Sequence, residues 1–362
     1  MPTTFNFNAG PGMLPRDVMQ QARDEFLNWH QTGASIMELS HRGDDFLPLA
    51  KESEKDLRDL LSVPENYHIL FLPGGARIQF STIPMNLLHD YHSVAYVLTG
   101  VWGQWASDEA SQYTRVNIVA NAASTGFTTI PAEKTWQPFS DAAYLHYIDN
   151  ETVNGVEFPF VPSTNTVPLI CDMSSNILSR VIDVKKFGLI YACAQKNISI
   201  AGMTIVIIRD DLLKRKPLPT TPKVLQYAVQ AEHASMYNTP STYPWYLASL
   251  VFKWLKKQGG ITEIEKRNAE KAKRIYDYLD SQDFYITRVE KPYRSRMNIV
   301  FKLPSEVLDE EFAKEAAQHH LIGLKGHRFL GGIRASIYNA MPIEGVEQLI
   351  GFMKEFAIRH QR

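Results

Sequence analysis

The chain has 362 residues, of which 44% are hydrophobic and 21% are charged, and its formal net charge at pH 7 is −1. So balanced a charge creates no field that would attract nucleic acid or an anionic membrane, and we expect neither as a partner. A chain of this length is usually too long to fold around a single hydrophobic core, so we expect two domains.

The composition also bears on the compartment of the protein. No apolar run is long enough to span a membrane, and residues 1–4 are uncharged with no apolar stretch behind them, unlike a signal peptide. Cys171 and Cys193 lie inside apolar runs, where we expect reduced core residues. We therefore expect a cytoplasmic protein. The basic run 214–216 is interpreted as a solvated loop.

Apolar periodicity predicts the elements of the larger, N-terminal part of the chain. Short apolar runs bounded by turns indicate strands, whereas apolar residues at helical spacing indicate helices. In chain order the pattern predicts a helix over 18–29, a helix over 46–61, a strand over 68–72, a helix after residue 75, a strand over 94–98, a helix from residue 105, and strands over 116–120, 167–172, 187–193 and 203–208. This alternation is typical of an α/β fold with a mostly parallel sheet.

The remainder of the chain predicts a smaller α+β domain. A long amphipathic helix opens at Pro244 and is stopped by Gly259 and Gly260. Beyond it the pattern predicts a charged helix over 261–279 with i,i+4 pairs Glu263–Arg267 and Glu270–Arg274, a strand over 297–303, a helix over 309–319, a strand over 332–338 and a helix over 343–360. We assign residues 16–260 to a large domain, and residues 1–15 and 261–362 to a discontinuous small domain.

An acid and a lysine follow two of the predicted strands. Asp172 ends the run 167–172, and Lys196 comes just after the run 187–193. Sheets of this class carry their binding and catalytic side chains at the ends of the strands. A carboxylate there can hold a proton on a pyridine nitrogen and a lysine can form a Schiff base, the pair that a pyridoxal phosphate (PLP) enzyme needs. The alternative is a strand-end ion pair.

Two further strand ends carry features that suit the same cofactor. Gly75, Ala76 and Arg77 follow a strand and open a helix, where free N–H groups can bind a phosphate. Trp102 follows the next strand, flanked by glycines, and its indole can stack on a flat heteroaromatic ring. Taken singly, these features could be a tight turn and a core tryptophan. Together with the acid and the lysine they predict a PLP site.

Other chemistries have weaker support in the sequence. His89 and His92 have helix-compatible spacing, but no third ligand or His-Glu-x-x-His context accompanies them. No Gly-x-Ser-x-Gly nucleophile elbow occurs. We therefore expect neither a metal site nor a nucleophile triad.

Several segments form a specific pattern through their order and spacing. They are Phe-Asn-Phe-Asn-Ala-Gly-Pro at 5–11, Ile-Met-Glu-Leu-Ser-His-Arg at 36–42, Asn-Glu-Thr-Val-Asn-Gly-Val-Glu-Phe at 150–158 and Gly-Gly-Ile-Arg-Ala-Ser at 331–336, together with 71–80, 172–175, 185–192, 194–197 and 237–240. In this pattern the chain resembles, nearly end to end, the phosphoserine aminotransferase family of fold-type I, class V PLP enzymes. The resemblance implies a seven-stranded, mostly parallel sheet flanked by helices, plus a smaller α+β domain.

The resemblance also implies which residues hold the cofactor. Lys196 would form the Schiff base and Asp172 would bond the pyridine nitrogen. Trp102 would stack on the ring, and Thr152 would lie near its oxygen edge. The phosphate would be bound by the backbone of Gly75, Ala76 and Arg77, by Gln195, and by Asn238 and Thr239 of the other subunit. A homodimer with shared active sites follows, although an ordinary Asn-Thr-Pro turn remains the alternative for the last pair.

Anion-binding residues for the substrates are implied in the same way. Arg334 would pair with the α-carboxylate, for which a planar guanidinium is suited. The second anion site, for a substrate phosphate or the side-chain carboxylate of glutamate, would be formed by His41 with Arg42 and by His327 with Arg328. Any one of these residues could instead be a surface charge.

The activity that the resemblance implies is reversible transamination. L-Glutamate and 3-phosphonooxypyruvate would give 2-oxoglutarate and O-phospho-L-serine, a step of serine biosynthesis. Formation of 4-phosphooxy-L-threonine for pyridoxine biosynthesis stays open, because the two substrates share their anionic ends. The alternatives are another class V enzyme, such as a serine–glyoxylate aminotransferase or a cysteine desulfurase, and a PLP-dependent sensor without turnover.

Two departures from the family pattern fall near the predicted site. Asn8 and Ala9 occupy positions where the family usually has a serine, which puts a small substrate contact in doubt. After Lys196 the family typically continues with glycine and proline, where this chain has Ser199 and Ile200. We expect a reshaped turn behind the lysine.

Overall fold

Buried apolar runs form the strands of the chain. The computed structural model describes residues 3–360. Its strands are β1 (Phe5–Asn6), β2 (Tyr67–Pro73), β3 (Ser93–Leu98), β4 (Arg115–Asn121), β5 (Leu145–Ile148), β6 (Asn150–Glu151), β7 (Val156–Glu157), β8 (Leu169–Asp172), β9 (Leu189–Cys193), β10 (Met203–Arg209), β11 (Asn298–Phe301), β12 (Leu321–Ile322) and β13 (Ile333–Ser336).

The central sheet has seven strands in the order β2-β10-β9-β8-β5-β3-β4. The pairs β9–β8, β8–β5, β5–β3 and β3–β4 are parallel, whereas β10 runs antiparallel to both of its neighbours. Strand β2 therefore points the same way as β9. The carboxyl ends of all strands except β10 meet at one edge of the sheet, which we call the carboxyl edge.

Helices cover both faces of this sheet. The helices described in the chain are α1 (Arg16–Asp24), α2 (Phe46–Leu61), α3 (Ala76–Leu87), α4 (Val101–Ala110), α5 (Asp210–Leu213), α6 (Tyr227–Glu232), α7 (Thr242–Lys257), α8 (Gly260–Asp280), α9 (Glu306–Gln318) and α10 (Ile343–His360), and the last two lie away from this sheet. Alternate side chains of each strand enter two different cores, as the period of two requires. One core includes α2 and α7, and the other includes α3 and α4. The α/β fold with a mainly parallel, helix-flanked sheet is confirmed.

A third core joins the two ends of the described chain. Phe5 and Phe7 pack with apolar side chains of α8, α9 and α10 and of the antiparallel pair β11–β13. Strand β1 also pairs with β12. The N-terminal segment thus packs with the C-terminal part of the chain rather than with the central sheet. Residues 1–2 and 361–362, which the predicted small domain includes, lie outside the described residues.

Several predicted elements differ from the structure. The helix predicted over 18–29 ends at Asp24, and Phe26 is exposed, because the chain turns away before Trp29 enters the core. The helix predicted from residue 105 already begins at Val101. Strand β5 is missing from the prediction, since its short run includes a histidine that is buried in the sheet.

The charged helix α8 differs in its ion pairs. Glu263 pairs with Lys266 rather than with Arg267, whose guanidinium binds Gln258, whereas Glu270–Arg274 forms as predicted. Both cysteines are buried and free. Among residues 3–360, no helix combines the length and apolar character needed to cross a membrane.

One buried lysine ties α8 to the segment that follows β13. Lys271 Nζ donates to the carbonyl oxygens of Ile337, Tyr338 and Met341 at 2.9–3.1 Å. Replacing it with methionine keeps the length of the side chain but removes one donor from each of these carbonyls, of which that of Tyr338 still accepts from the N–H of Met341. We expect Lys271→Met to lower the free energy of unfolding by about 3 kcal/mol, measured by urea denaturation.

The matched control lies on the same helix. Lys273 is exposed and pairs with Asp277, so Lys273→Met should leave the unfolding midpoint close to that of the wild type. Equal unfolding midpoints for Lys271→Met and the wild type would contradict this account of the segment.

Candidate active site

A cavity of about 450 Å³ opens at the carboxyl edge of the sheet. Its walls come from segments that follow β1, β2, β3, β5, β8 and β9, where Ala9 and Gly10 belong to the first, and from β13 and the loop before it. The predicted site residues that line it are Gly75, Ala76, Arg77, Trp102, Thr152, Asp172, Gln195, Lys196, His327 and Arg334. One chain thus brings together most of the residues that the sequence singled out.

Lys196 is held at the cavity wall by Thr152. Its side chain is buried, and Nζ donates to Thr152 Oγ1 at 2.7 Å. The turn beneath it is closed by the N–H groups of Ile198 and Ser199, which both donate to the carbonyl oxygen of Ala194. The structure records no ion pair between the lysine and Asp172 within residues 3–360, so the strand-end ion pair does not form.

Asp172 ends β8 as a buried carboxylate. The backbone N–H of Ser174 donates to its Oδ1 at 2.7 Å. Burial raises the pKa of Asp172, and the hydrogen bonding of Ser174, the charge of Lys196 and the nearby hydroxyl of Tyr191 oppose that rise. The hydroxyl oxygen of Tyr191 in turn lies 2.9 Å from Nε2 of His146. A chain of buried polar groups therefore supports the carboxylate from behind.

The turn between β2 and α3 presents an open helix end. Gly74 has φ +100°, a conformation that favours glycine, and Gly75 precedes the helix. Because Gly75 has no side chain to cap the first N–H groups of α3, they remain free for an anion from outside. Arg77 lines the cavity, but its guanidinium lies 4.3 Å from the ring centre of Trp105.

Trp102 lies in the first turn of α4 and lines the cavity. Its ring meets Trp105 edge to face, with ring centres 5.0 Å apart. The indole Nε1 is buried and has no hydrogen-bond partner among the described residues. The guanidinium of Arg77 also lies 5.7 Å from the ring centre of Trp102. Trp105 and Arg77 thus hold an indole beside the cavity, where it can stack on a flat ring.

Two basic side chains reach the cavity from the C-terminal part of the chain. Arg334, on β13, is largely buried, and its Nε has no partner within the described part of the protein. Burial lowers the pKa of Arg334, and burial with the charges of Arg334 and Arg328 lowers the pKa of His327. A buried guanidinium without a counterion fits an anionic ligand.

Other predicted residues do not line the cavity of this chain: His41, Arg42, Arg328, Asn238 and Thr239. The guanidinium of Arg328 lies over Phe329, 5.0 Å from its ring centre. Arg42 Nη2 donates to the carbonyl oxygen of Met236 at 3.3 Å. This bond brings the segment 41–42 next to the segment 236–239, so that four of these residues form a second patch, which we call the 41/238 patch.

Sequence reasoning missed several residues of the cavity and its walls. Asn150 lines it and donates from Nδ2 to Ser175 Oγ and Asn298 Oδ1, and Ser174 and Cys193 also line it. A signal existed for the serines, which directly follow the strand that ends at Asp172. No local signal marks Tyr191, because it lies inside a buried strand.

One of the two departures after Lys196, the serine at position 199, makes a side-chain hydrogen bond. Ser199 Oγ donates to the carbonyl oxygen of Pro244 at 2.7 Å, in the first turn of α7. This bond anchors the turn behind Lys196 to the large core. At the other departure, Asn8 binds Asn6, and the carbonyl oxygen of Ala9 accepts from Tyr338.

Comparisons with known proteins agree with this geometry. The family model described as aminotransferase class-V matches residues 4–349. The chain therefore belongs to the class-V aminotransferase family, and it is a PLP-dependent transaminase. A solved phosphoserine aminotransferase from Bacillus circulans subsp. alkalophilus has a TM-score of 0.96 and 43% identity, covering 99% of each chain. A PLP-bound one from Trichomonas vaginalis has a TM-score of 0.94 and 42% identity, covering 97% of this chain and 100% of that one.

Curated relatives carry the same particular name. A phosphoserine aminotransferase of Coxiella burnetii (strain Dugway 5J108-111) is 53% identical over 360 residues, which are 99% of this chain and 100% of the relative. One of Laribacter hongkongensis is 53% identical over 359 residues and covers 99% of each chain. The likeness thus extends over the whole length of both relatives.

The support behind Asp172 generates a pH prediction. Tyr191→Phe removes the nearby hydroxyl that helps to lower the pKa of Asp172, so this pKa should rise further. The carboxyl would then be protonated over a wider acidic range. The acidic limb of the pH–activity profile should therefore move to higher pH. Steady-state rates measured across pH test this.

The control for this prediction is another buried tyrosine. Tyr144 pairs with Tyr96 and makes no contact with Asp172, so Tyr144→Phe should leave the acidic limb in place. A limb that does not move in Tyr191→Phe would show that the tyrosine has no influence on the carboxyl.

Proposed function

We propose that this chain is a phosphoserine aminotransferase that converts L-glutamate and 3-phosphonooxypyruvate reversibly into 2-oxoglutarate and O-phospho-L-serine. The observation that carries the proposal is one cavity with a buried amine, a buried acid, an open helix end and an unpaired arginine. The identity of 53% to relatives with this name supports the substrate assignment. The pathway would be serine biosynthesis.

The cavity fits PLP at each of its functional groups. The open N–H groups of α3, with Gln195, would bind the phosphate, and nothing lies within 4 Å of where a Cβ of Gly75 would be. Trp102 would stack on the ring, and Thr152 would contact its oxygen edge. Asp172 would hold the proton on the ring nitrogen. When bound, PLP draws electrons from the α-carbon of the amino acid, so that its proton can leave.

Lys196 is the base that this chain offers for that proton. Once its Nζ is free, it would take the proton from the α-carbon of glutamate and later give it to the cofactor carbon that bears the nitrogen. Positioned proton transfer of this kind contributes about 10²–10⁴-fold to the rate. Thr152, bonded to Nζ at 2.7 Å, keeps the amine directed into the cavity.

Arginine and histidine side chains would select the substrates. Arg334 would bind the α-carboxylate, because its Nε is buried and has no partner within residues 3–360. His327 and Arg328 would meet the substrate phosphate or the distal carboxylate of glutamate. These three basic side chains would together favour substrates that carry an anionic group at each end.

The 41/238 patch, formed by His41, Arg42, Asn238 and Thr239, would complete the cavity of a second copy of the chain. Its residues do not reach the cavity of their own chain, although the resemblance assigns them to a shared site. The bond from Arg42 to the carbonyl oxygen of Met236 holds the two segments of the patch together as one surface. The proposed unit is therefore a homodimer in the cytoplasm.

The third core supports the proposed division into two domains. Residues 1–15 and 261–362 would form the small domain, which brings His327 and Arg334 to the cavity, while residues 16–260 would bind the cofactor. Formation of 4-phosphooxy-L-threonine, in pyridoxine biosynthesis, remains a second proposed activity because that substrate presents the same anionic ends.

A half-reaction assay tests the function. Glutamate should change the absorbance of the bound cofactor, and 3-phosphonooxypyruvate should restore it, whereas glyoxylate should not. Lys196→Ala should lower the turnover rate by roughly 10⁴-fold, since the base is lost. The exposed Lys186→Ala is the control and should keep wild-type turnover.

Two outcomes of this assay decide between the alternatives. Faster restoration by glyoxylate than by the phosphorylated keto acid would favour a serine–glyoxylate aminotransferase. The keto acid of 4-phosphooxy-L-threonine, tested in the same way, decides the second activity.

Heterodimers test the shared site. Lys196→Ala on one subunit and Asn238→Ala with Thr239→Ala on its partner leave one complete site of two, if each patch serves the other subunit. Co-expression with two tags yields this heterodimer, which we expect to have about half of the wild-type activity. The control carries all three changes on one subunit, with a wild-type partner, and should be nearly inactive because neither site is complete. Equal activity of the two heterodimers would contradict sharing.

A further inference from the structure

Glu151 is a buried carboxylate with no role assigned so far. It ends β6, next to Thr152, and its side chain is fully buried. Oε2 accepts from the backbone N–H of Trp102 at 3.1 Å, and Oε1 accepts from that of Gly103 at 2.9 Å. Both partners lie in the first turn of α4, the helix that carries the indole of the cavity.

Helix α4 depends on this contact for its N-terminal cap. The first N–H groups of a helix need acceptors from outside the helix, and a side chain at the N-cap usually supplies one. Here the N-cap is Gly100, which has no side chain. Both acceptors come instead from the side chain of Glu151, which belongs to strand β6. Its negative charge is favourable at the positive end of the helix dipole.

Two glycines make room for the carboxylate. A Cβ at Gly100 would lie 2.5 Å from Cδ of Glu151, and a Cβ at Gly103 would lie 3.3 Å from its Oε1. The φ of Gly100 is 177°, which any residue can adopt, so glycine is needed there for space rather than for conformation. The first turn of α4 is therefore shaped around this side chain.

The surroundings of Glu151 are costly for a carboxylate. Burial raises its pKa to about 7, and the hydrogen bonds from Gly103 and Trp102 oppose that rise. A surface residue of α4 could cap a helix without burying an acid. The buried contact is therefore best explained by a need to hold Trp102 and Gly103 in place.

We propose that Glu151 is a positioning residue, which fixes Trp102 against the cavity and thereby sets the affinity of the protein for PLP. The inference rests on the proposed role of Trp102 as the stacking partner of the cofactor ring. The two-residue strand β6 then organises the site from both sides, since Glu151 holds the indole and the next residue, Thr152, holds Lys196.

A double-mutant cycle on cofactor binding tests this. Glu151→Gln keeps the size of the side chain but turns an NH2 group toward a backbone donor. We expect it to weaken PLP binding to the apo-protein about tenfold, measured by absorbance titration. Trp102→Ala should weaken binding at least as much. The double variant should bind within about twofold of Trp102→Ala alone, because Glu151 acts through the indole.

A matched control lies on the same helix. Glu109 accepts from the hydroxyl of Ser81 and does not line the cavity, so Glu109→Gln should bind PLP within about twofold of the wild type. Melting of the apo-protein, followed by circular dichroism, shows whether each variant folds. If Glu151→Gln does not fold, Gly100→Ala replaces it, because the added methyl group displaces the same carboxylate.

The outcomes separate this inference from the proposed function. Unchanged PLP affinity in Glu151→Gln, or a double variant weakened by the product of the two single effects, would overturn the positioning role. Wild-type apo-protein that binds PLP but does not transaminate 3-phosphonooxypyruvate would instead overturn the proposed substrate and leave the role of Glu151 standing.

Discussion

The common direction of the strands is the constraint on which the cavity depends. Because every strand of the central sheet except β10 points the same way, the segments that follow them meet at one edge. Polar groups with unrelated local sequences are thereby brought within one cavity of about 450 Å³. A reversal of any one of these strands would carry its functional residue to the opposite edge, so the topology and the chemistry cannot be separated.

Much of the fold and the cavity could be predicted because strand ends are visible in the sequence. Asp172, Lys196 and Gly75 each follow a short apolar run, and the direction of a sheet places such residues together. Elements whose limits depend on distant contacts were predicted less well. The start of α4 is an example, because its N-terminal N–H groups are capped by Glu151, a residue 49 positions after Trp102. No local sequence pattern indicates this cap.

The residues that escaped prediction share a physical reason. Tyr191 and His146 lie inside strands and act from behind the cavity wall, where apolar neighbours hide them in the sequence. Other residues were predicted from the family resemblance alone, and the fold of one chain leaves Asn238 and Thr239 outside the cavity. In the proposed homodimer, a site that two chains complete has no signature in the periodicity of either, because pairing between subunits leaves the local pattern unchanged.

The charges of the cavity are arranged in two layers. The deeper layer holds two buried acids, Asp172 and Glu151, around the amine of Lys196, and burial raises the pKa of both acids. The outer layer holds Arg334 and His327, which have no acidic partner among the described residues. A cationic ring nitrogen suits the deeper layer, and anionic substrates suit the outer one. One sheet edge therefore offers opposite electrostatic environments a few side chains apart, which a zwitterionic cofactor and a doubly anionic substrate together require.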